Sequence, residues 1–270
     1  MSGVRVTMLG CGGSQGVPTP VGDWGVCDPA NPRNRRLRPS ILIETTDADG
    51  APKTILVDTG PDLRQQLLTA RCRHIDALLY THSHADHTHG IDDLRAVNRL
   101  MGAPIPFWAS TETLADLRRR FGYTIVDDPS GVSSYFRPVL VPHEIDGPFE
   151  AAGVPVVAFE QDHGFSRSWG FRIGNFAYST DVVKLDEAAF AALQGIEVWI
   201  VDCLREAPHP THSHLERTLG WIERLKPRQA VLTNMHIDLD YQELTSRLPE
   251  GVVAAFDGMR VVVQLERDVP

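Results

Sequence analysis

The segment Tyr80-Thr81-His82-Ser83-His84-Ala85-Asp86-His87-Thr88-His89-Gly90 sets four histidines and one aspartate within eight residues. Imidazole nitrogens and carboxylate oxygens together suit zinc, manganese or iron. In an extended segment His82, His84 and Asp86, two apart, point to one side. His87 breaks that alternation and faces a second centre. A solvated polar loop would also be rich in histidine. The pattern H-x-H-x-D-H directly behind the apolar run Ala77-Leu78-Leu79-Tyr80 is more specific than that.

Further polar groups recur where apolar runs stop: Asp58 after Thr54–Val57, His163 after Val154–Phe159, Asp181 after Asn175–Thr180, then His212 and His236. Each of these histidines alone is more often a hydrogen-bonded residue than a ligand. Together with the first cluster, five histidines and two aspartates among them are enough for two metals. Asp58 reads either as a partner that orients a ligand imidazole or as a strand-end cap. His74, His89, His143, His209 and His214 read as structural or surface residues.

These side chains need strands that end at one edge of a layered α/β core. Strands are expected at Val4–Leu9, Ser40–Thr45, Thr54–Val57, Ile105–Ala109, Val154–Phe159, Glu197–Val201 and Gln229–Thr233, with a hairpin across Gly174. Helices are expected at about Asp62–Ala70, Gly90–Leu100, Thr111–Phe121, Asp186–Leu193, Leu215–Leu225 and Tyr241–Leu248. The glycine-rich turn Gly10–Pro18 matches neither the P-loop nor the dinucleotide spacing. It leads into a long irregular loop carrying Arg33-Asn34-Arg35-Arg36. Such a run is either a solvated face or a clamp for an anionic group, since guanidinium matches phosphate geometry.

The 270 residues fit a single domain over 1–270, with a net charge of −9 that argues against a stable nucleic-acid partner or an anionic membrane. No apolar run approaches a membrane span. Residues Met1–Arg5 do not read as a signal peptide. Cys11, Cys27, Cys72 and Cys203 are scattered, which fits a reducing cytoplasm better than a disulfide framework. A homodimer is left open.

The succession His82-x-His84-x-Asp86-His87, His163, Asp181 and a late histidine resembles the metallo-β-lactamase superfamily over nearly the whole chain. Gly10–Pro18, Pro32–Arg36, His209-Pro210-Thr211-His212 and Asp238-Leu239-Asp240-Tyr241 resemble its phosphoribosyl 1,2-cyclic phosphate phosphodiesterase branch. The resemblance implies an αββα sandwich: two mixed sheets with helices on both outer faces. It implies a dinuclear Zn²⁺ or Mn²⁺ centre in which His82, His84 and His163 hold one ion, Asp86, His87 and a late histidine hold the other, and Asp181 bridges. It further implies Asp86 and His212 as catalytic residues.

Two departures stand out. Asn234 occupies the place of a ligand histidine, so His236, two residues on along an extended segment, is expected to take over as the metal ligand. Three of four positions for a structural zinc near Cys27 are replaced, so none is expected, and Trp24 is expected to anchor the loop. The function implied is hydrolysis of a small cyclic phosphate or nucleotide-like phosphodiester, because paired divalent ions acidify a shared water and clamp a phosphoryl oxygen. Arg33, Arg35 or Arg36 would position the phosphate. The alternatives are a hydrolase of a lactone, thioester or β-lactam, and a degenerate nucleotide sensor.

Overall fold

The computed structural model describes residues 3–130 and 136–264. Its strands in the first half are β1 (Gly3–Gly10), β2 (Ser40–Thr46), β3 (Pro52–Val57), β4 (Ala77–Leu79), β5 (Ile105–Ala109) and β6 (Leu140–Glu144). The second half adds β7 (Phe149–Ala151), β8 (Val154–Asp162), β9 (Arg167–Ile173), β10 (Phe176–Ser179), β11 (Val198–Asp202), β12 (Gln229–Thr233), β13 (Val252–Ala254) and β14 (Arg260–Gln264). Helices are α1 (Leu63–Ala70), α2 (Ala85–Thr88), α3 (Leu94–Met101), α4 (Thr111–Phe121), α5 (Glu187–Ala192), α6 (Leu215–Leu225) and α7 (Tyr241–Arg247).

The strands form two seven-stranded mixed sheets, ordered β14-β1-β2-β3-β4-β5-β6 and β13-β12-β11-β10-β9-β8-β7. Burial follows position. The edge strand β14 alternates exposed and buried residues, whereas β11, between two parallel neighbours, is buried at every position. Along β2, Ile41 and Ile43 join the core shared with Phe171, Tyr178 and Trp199 of the other sheet. Leu42 faces the opposite way and packs with Leu63, Leu67 and Leu94 from the helices. The architecture is the αββα sandwich that the resemblance implies. No helix among the described residues is long and apolar enough to cross a membrane.

β3 and β4 run parallel, as do β10, β11 and β12. β8 shares their direction, since it is antiparallel to β9 and β9 to β10. Asp58, His82, His163, Asp181, Asp202 and Asn234 therefore all lie at or just beyond C-terminal strand ends, the edge where open α/β sheets place their sites.

Three local expectations are corrected. The expected helix Gly90–Leu100 is a 3₁₀ turn, Ile91–Asp93, followed by α3. The segment after His84 is the short helix α2, so Asp86 does not continue an extended alternation. Trp24 is only partly buried, with the Arg35 guanidinium 5.1 Å over its ring. The early loop is instead tied down by Arg36, 1% exposed. Its Nη1 donates to the His236 carbonyl at 3.1 Å and its Nη2 to the Leu239 carbonyl at 2.7 Å. Beside it the buried Cys27 thiol meets the Ile237 and Leu239 carbonyls.

The second sheet depends on Trp199, fully buried, with its indole N–H donating to Ser179 Oγ at 3.0 Å. Trp199→Ala is expected to destabilise the fold by about 3–5 kcal/mol, the usual cost of truncating a buried tryptophan. Urea unfolding followed by circular dichroism checks it, and a loss below about 1 kcal/mol would contradict this account of the core.

Candidate metal centre

Two groups of donor atoms come together at the strand ends: His82, His84, His163 and Asp181, and Asp86, His87 and Asp181, with the ligand-capable atoms of each group within 4.8 Å of one another. In the first, His84 Nδ1 lies 2.9 Å from His82 Nε2 and 3.3 Å from His163 Nε2. The outer nitrogens decide the tautomers. His163 Nδ1–H donates to the Thr211 carbonyl at 2.7 Å. Thr81 Oγ1 donates to Asp58 Oδ2 at 2.8 Å and so accepts from His82 Nδ1 at 3.0 Å. Both imidazoles are left with an Nε2 lone pair aimed inward, the arrangement typical of metal-ligating histidines.

Asp58 plays the orienting part for His87, accepting from its Nδ1–H at 2.7 Å. His87 Nε2 is buried and lies 3.3 Å from both Asp86 Oδ2 and Asp181 Oδ1, yet is aligned for a hydrogen bond with neither. Asp181 spans the two groups. Its Oδ1 faces His87, and its Oδ2 lies 3.7 Å from His82 Nε2 and 3.6 Å from His163 Nε2.

The electrostatics point the same way. Burial, reinforced by the neighbouring imidazoles, holds His82 well below the usual imidazole range, and burial lowers His84 too. Both are therefore neutral, the form that ligates a cation. At His87, burial opposes protonation, but Asp181, Asp86 and Asp58 outweigh it and raise its pKa well above the ordinary value. A proton drawn to that point marks where positive charge is needed. Convergent lone pairs, an orphaned Nε2 and a carboxylate divided between two donor sets fit divalent cations.

Local sequence builds this geometry. Asp58, Asp181 and Asn234 have φ of 64°, 54° and 63°, a left-handed turn that Asx residues tolerate and that swings the chain out of each strand. A Cβ on Gly60 would sit 2.1 Å from the Asp86 carbonyl, and one on Gly90 would sit 2.1 Å from the Gly60 carbonyl. Only glycine lets the β3–α1 turn pack this close to α2. From the other side, α4 grips Ser83 between the two histidines. Ser83 Oγ donates to Asp116 Oδ2 at 2.7 Å, and Arg120 Nη1 donates to the Ser83 carbonyl at 2.6 Å.

His212 borders the cluster, with Nε2 3.8 Å from Asp181 Oδ2 and Nδ1 3.2 Å from Asp202 Oδ2. Burial alone would lower its pKa; Asp181 and Asp202 override that and push it up to about 9. Asp202, fully buried, also accepts from the backbone N–H of Val182 at 3.0 Å. Its position at a strand end was visible in the chain, but nothing there signalled its role.

Two expectations about site residues fail. His236 joins neither group; its Nδ1 pairs with Asp238 Oδ2 at 3.0 Å. The left-handed turn at Asn234 breaks the extended register on which that expectation relied. Asn234 itself enters the site, its amide nitrogen 3.2 Å from Asp181 Oδ1 and 3.0 Å from Asp202 Oδ1. The arginines are also engaged elsewhere. Arg36 is buried on carbonyls, Arg33 donates to Tyr241 Oη at 3.0 Å and stacks on Phe256, and Arg35 lies over Trp24.

Residues 53–237 match the family model described as a beta-lactamase superfamily domain. The chain belongs to the metallo-β-lactamase superfamily. Its two donor groups are suited to divalent metal. A solved structure described as a new diphosphatase from the PhnP family is 34% identical, covers 97% of this chain and 98% of its own, and superposes with a TM-score of 0.86. Zn²⁺-bound PqqB from Methylobacterium extorquens shares the fold at 18% identity, with a TM-score of 0.71 and coverage of 95% and 99%. A protein named octanoyltransferase from Porphyromonas gingivalis (strain ATCC BAA-308 / W83) is 31% identical over 263 residues, 96% of this chain and 52% of that protein. The chain thus spans about half the length of this curated relative.

Asp116→Asn removes a charged anchor of the Ser83 turn. Zn²⁺ affinity measured by calorimetry is expected to fall about tenfold or more, as other changes behind a metal ligand do. Unchanged affinity would show that α4 does not hold the ligand turn.

Proposed function

We propose that this chain is a metal-dependent phosphodiester hydrolase acting on a small cyclic phosphate or nucleotide-like substrate, with Zn²⁺ or Mn²⁺ in two adjacent positions. The observation that carries the reading is Asp181, one oxygen toward each donor group, with the His212 ring at its edge. Divalent cations held there supply polarisation of a phosphoryl oxygen and an acidified water. Asp86 has a second carboxylate oxygen with which to orient that water. His212, its Nδ1 fixed by Asp202, presents Nε2 to the substrate side, where it donates a proton to the departing oxygen or pairs with the phosphoryl group. His84, exposed at the rim of the site, leaves an approach from solvent. The full-length likeness to a diphosphatase supports phosphorus over carbon as the atom attacked, and extends the candidate substrates to diphosphate-linked nucleotides.

A second reading, hydrolysis of an acyl ester or thioester, draws on the relative named octanoyltransferase. A panel of bis-p-nitrophenyl phosphate, cyclic nucleotides, dinucleoside diphosphates, a lactone and an octanoyl thioester separates the two. Turnover of phosphodiesters that requires Mn²⁺ or Zn²⁺ is expected. His212→Ala should lower kcat by roughly 10²–10⁴-fold, the usual range for a lost acid–base group, with metal content unchanged. Faster thioester or lactone cleavage, or no phosphoester turnover with any divalent ion, overturns the phosphodiesterase reading.

A further inference from the structure

The two donor groups are not equivalent. The first offers three imidazole nitrogens and Asp181 Oδ2; the second offers Asp86, His87 and Asp181 Oδ1. Beside the second group, against Asp181 Oδ1, the structure has Asn234, 1% exposed. The amide nitrogen faces the carboxylates, because an amide oxygen 3.2 Å from Asp181 Oδ1 and 3.0 Å from Asp202 Oδ1 would meet two acceptors and repel both. Its oxygen is buried without a hydrogen-bond partner and turned toward Gly13. The group nearest the second position therefore brings hydrogens and not a lone pair. Asp181 Oδ1 is further committed to Thr180 Oγ1, which donates to it at 2.8 Å. His236 cannot make up the deficit from its pairing with Asp238.

We propose that the two positions load unequally. The first, rich in nitrogen, holds its ion tightly. The second has three protein donors, two of them carboxylates, and fills only at higher cation concentration, its coordination completed by phosphate oxygens. Carboxylates plus substrate phosphate are how oxygen-preferring ions such as Mg²⁺ and Mn²⁺ are commonly held, whereas imidazole-rich sets suit zinc. This inference rests on the reading of the site as a phosphate-processing metal centre, but its test reads cation binding and not turnover, so the two can fail separately.

The chelator-stripped 270-residue chain is titrated with Zn²⁺ and then Mn²⁺ by calorimetry, with Mn²⁺ electron paramagnetic resonance as a second readout, in the presence and absence of inorganic phosphate. One tight equivalent is expected, with a second at least ~10-fold weaker that tightens when phosphate is present. That gap is the size produced even by changes behind a ligand. His87→Ala should abolish the weak equivalent and keep the tight one. Asn234→His, or Asn234→Asp if the histidine variant does not fold, should narrow the gap by about tenfold. Two equivalents of equal affinity in the native protein, or a folded Asn234 variant with the gap unchanged, would overturn the proposal.

Discussion

Asp58, Asp181 and Asp202 have almost no contact with solvent, and all three meet within one strand-end cluster. Buried carboxylates persist only if positive charge or directed hydrogen bonds compensate the lost hydration. Each is compensated differently. Asp58 accepts from the Thr81 backbone and hydroxyl and from the His87 ring. Asp202 gathers the Val182 and Ser213 backbone N–H groups, His212 and Asn234. Asp181 is left the most electrostatically open, with an oxygen toward each imidazole set. The call for a cation is thus a property of the whole network and not of one ligand.

The fold supplies the concentration of charge. Two parallel strand runs, one per sheet, end at the same edge, and Asp58, Asp181 and Asn234, just beyond β3, β10 and β12, take left-handed turns. Such turns cost free energy outside glycine, and Asp and Asn tolerate them best. The residue types that make the turn are therefore also the ones that bring oxygen and amide donors into the site. The close approach of Gly60 to α2, and the α4 grip on Ser83, press the ligand turn from two sides.

Asn234 sits between two buried carboxylates of the site. Its side chain keeps the Asp181 and Asp202 carboxylates oriented, as a hydrogen-bond donor can, while withholding the lone pair that a ligand would offer. Arg36 makes a comparable point at the loop. A guanidinium that in sequence suggests phosphate is spent on the carbonyls of His236 and Leu239, joining the early loop to the segment after β12.

The sequence by itself determined the ligand types, the H-x-H-x-D-H spacing, the strand ends that carry His163 and Asp181, and a layered α/β core, because burial periodicity and residue chemistry are local properties; the sandwich followed from the family resemblance. Helix α4 and strand β12 were legible to the residue, since Ser110 caps one and a continuous apolar run defines the other. Only the tertiary structure decided that Asp86 lies on a short helix, that His236 turns away, that the arginines are engaged elsewhere and that Asn234 sits between two carboxylates. Those outcomes depend on the φ of single residues and on contacts between segments up to about 200 positions apart, such as Arg36 with His236. No pattern of neighbouring residues encodes them, because the partner that fixes each side chain arrives only when the two sheets close on each other.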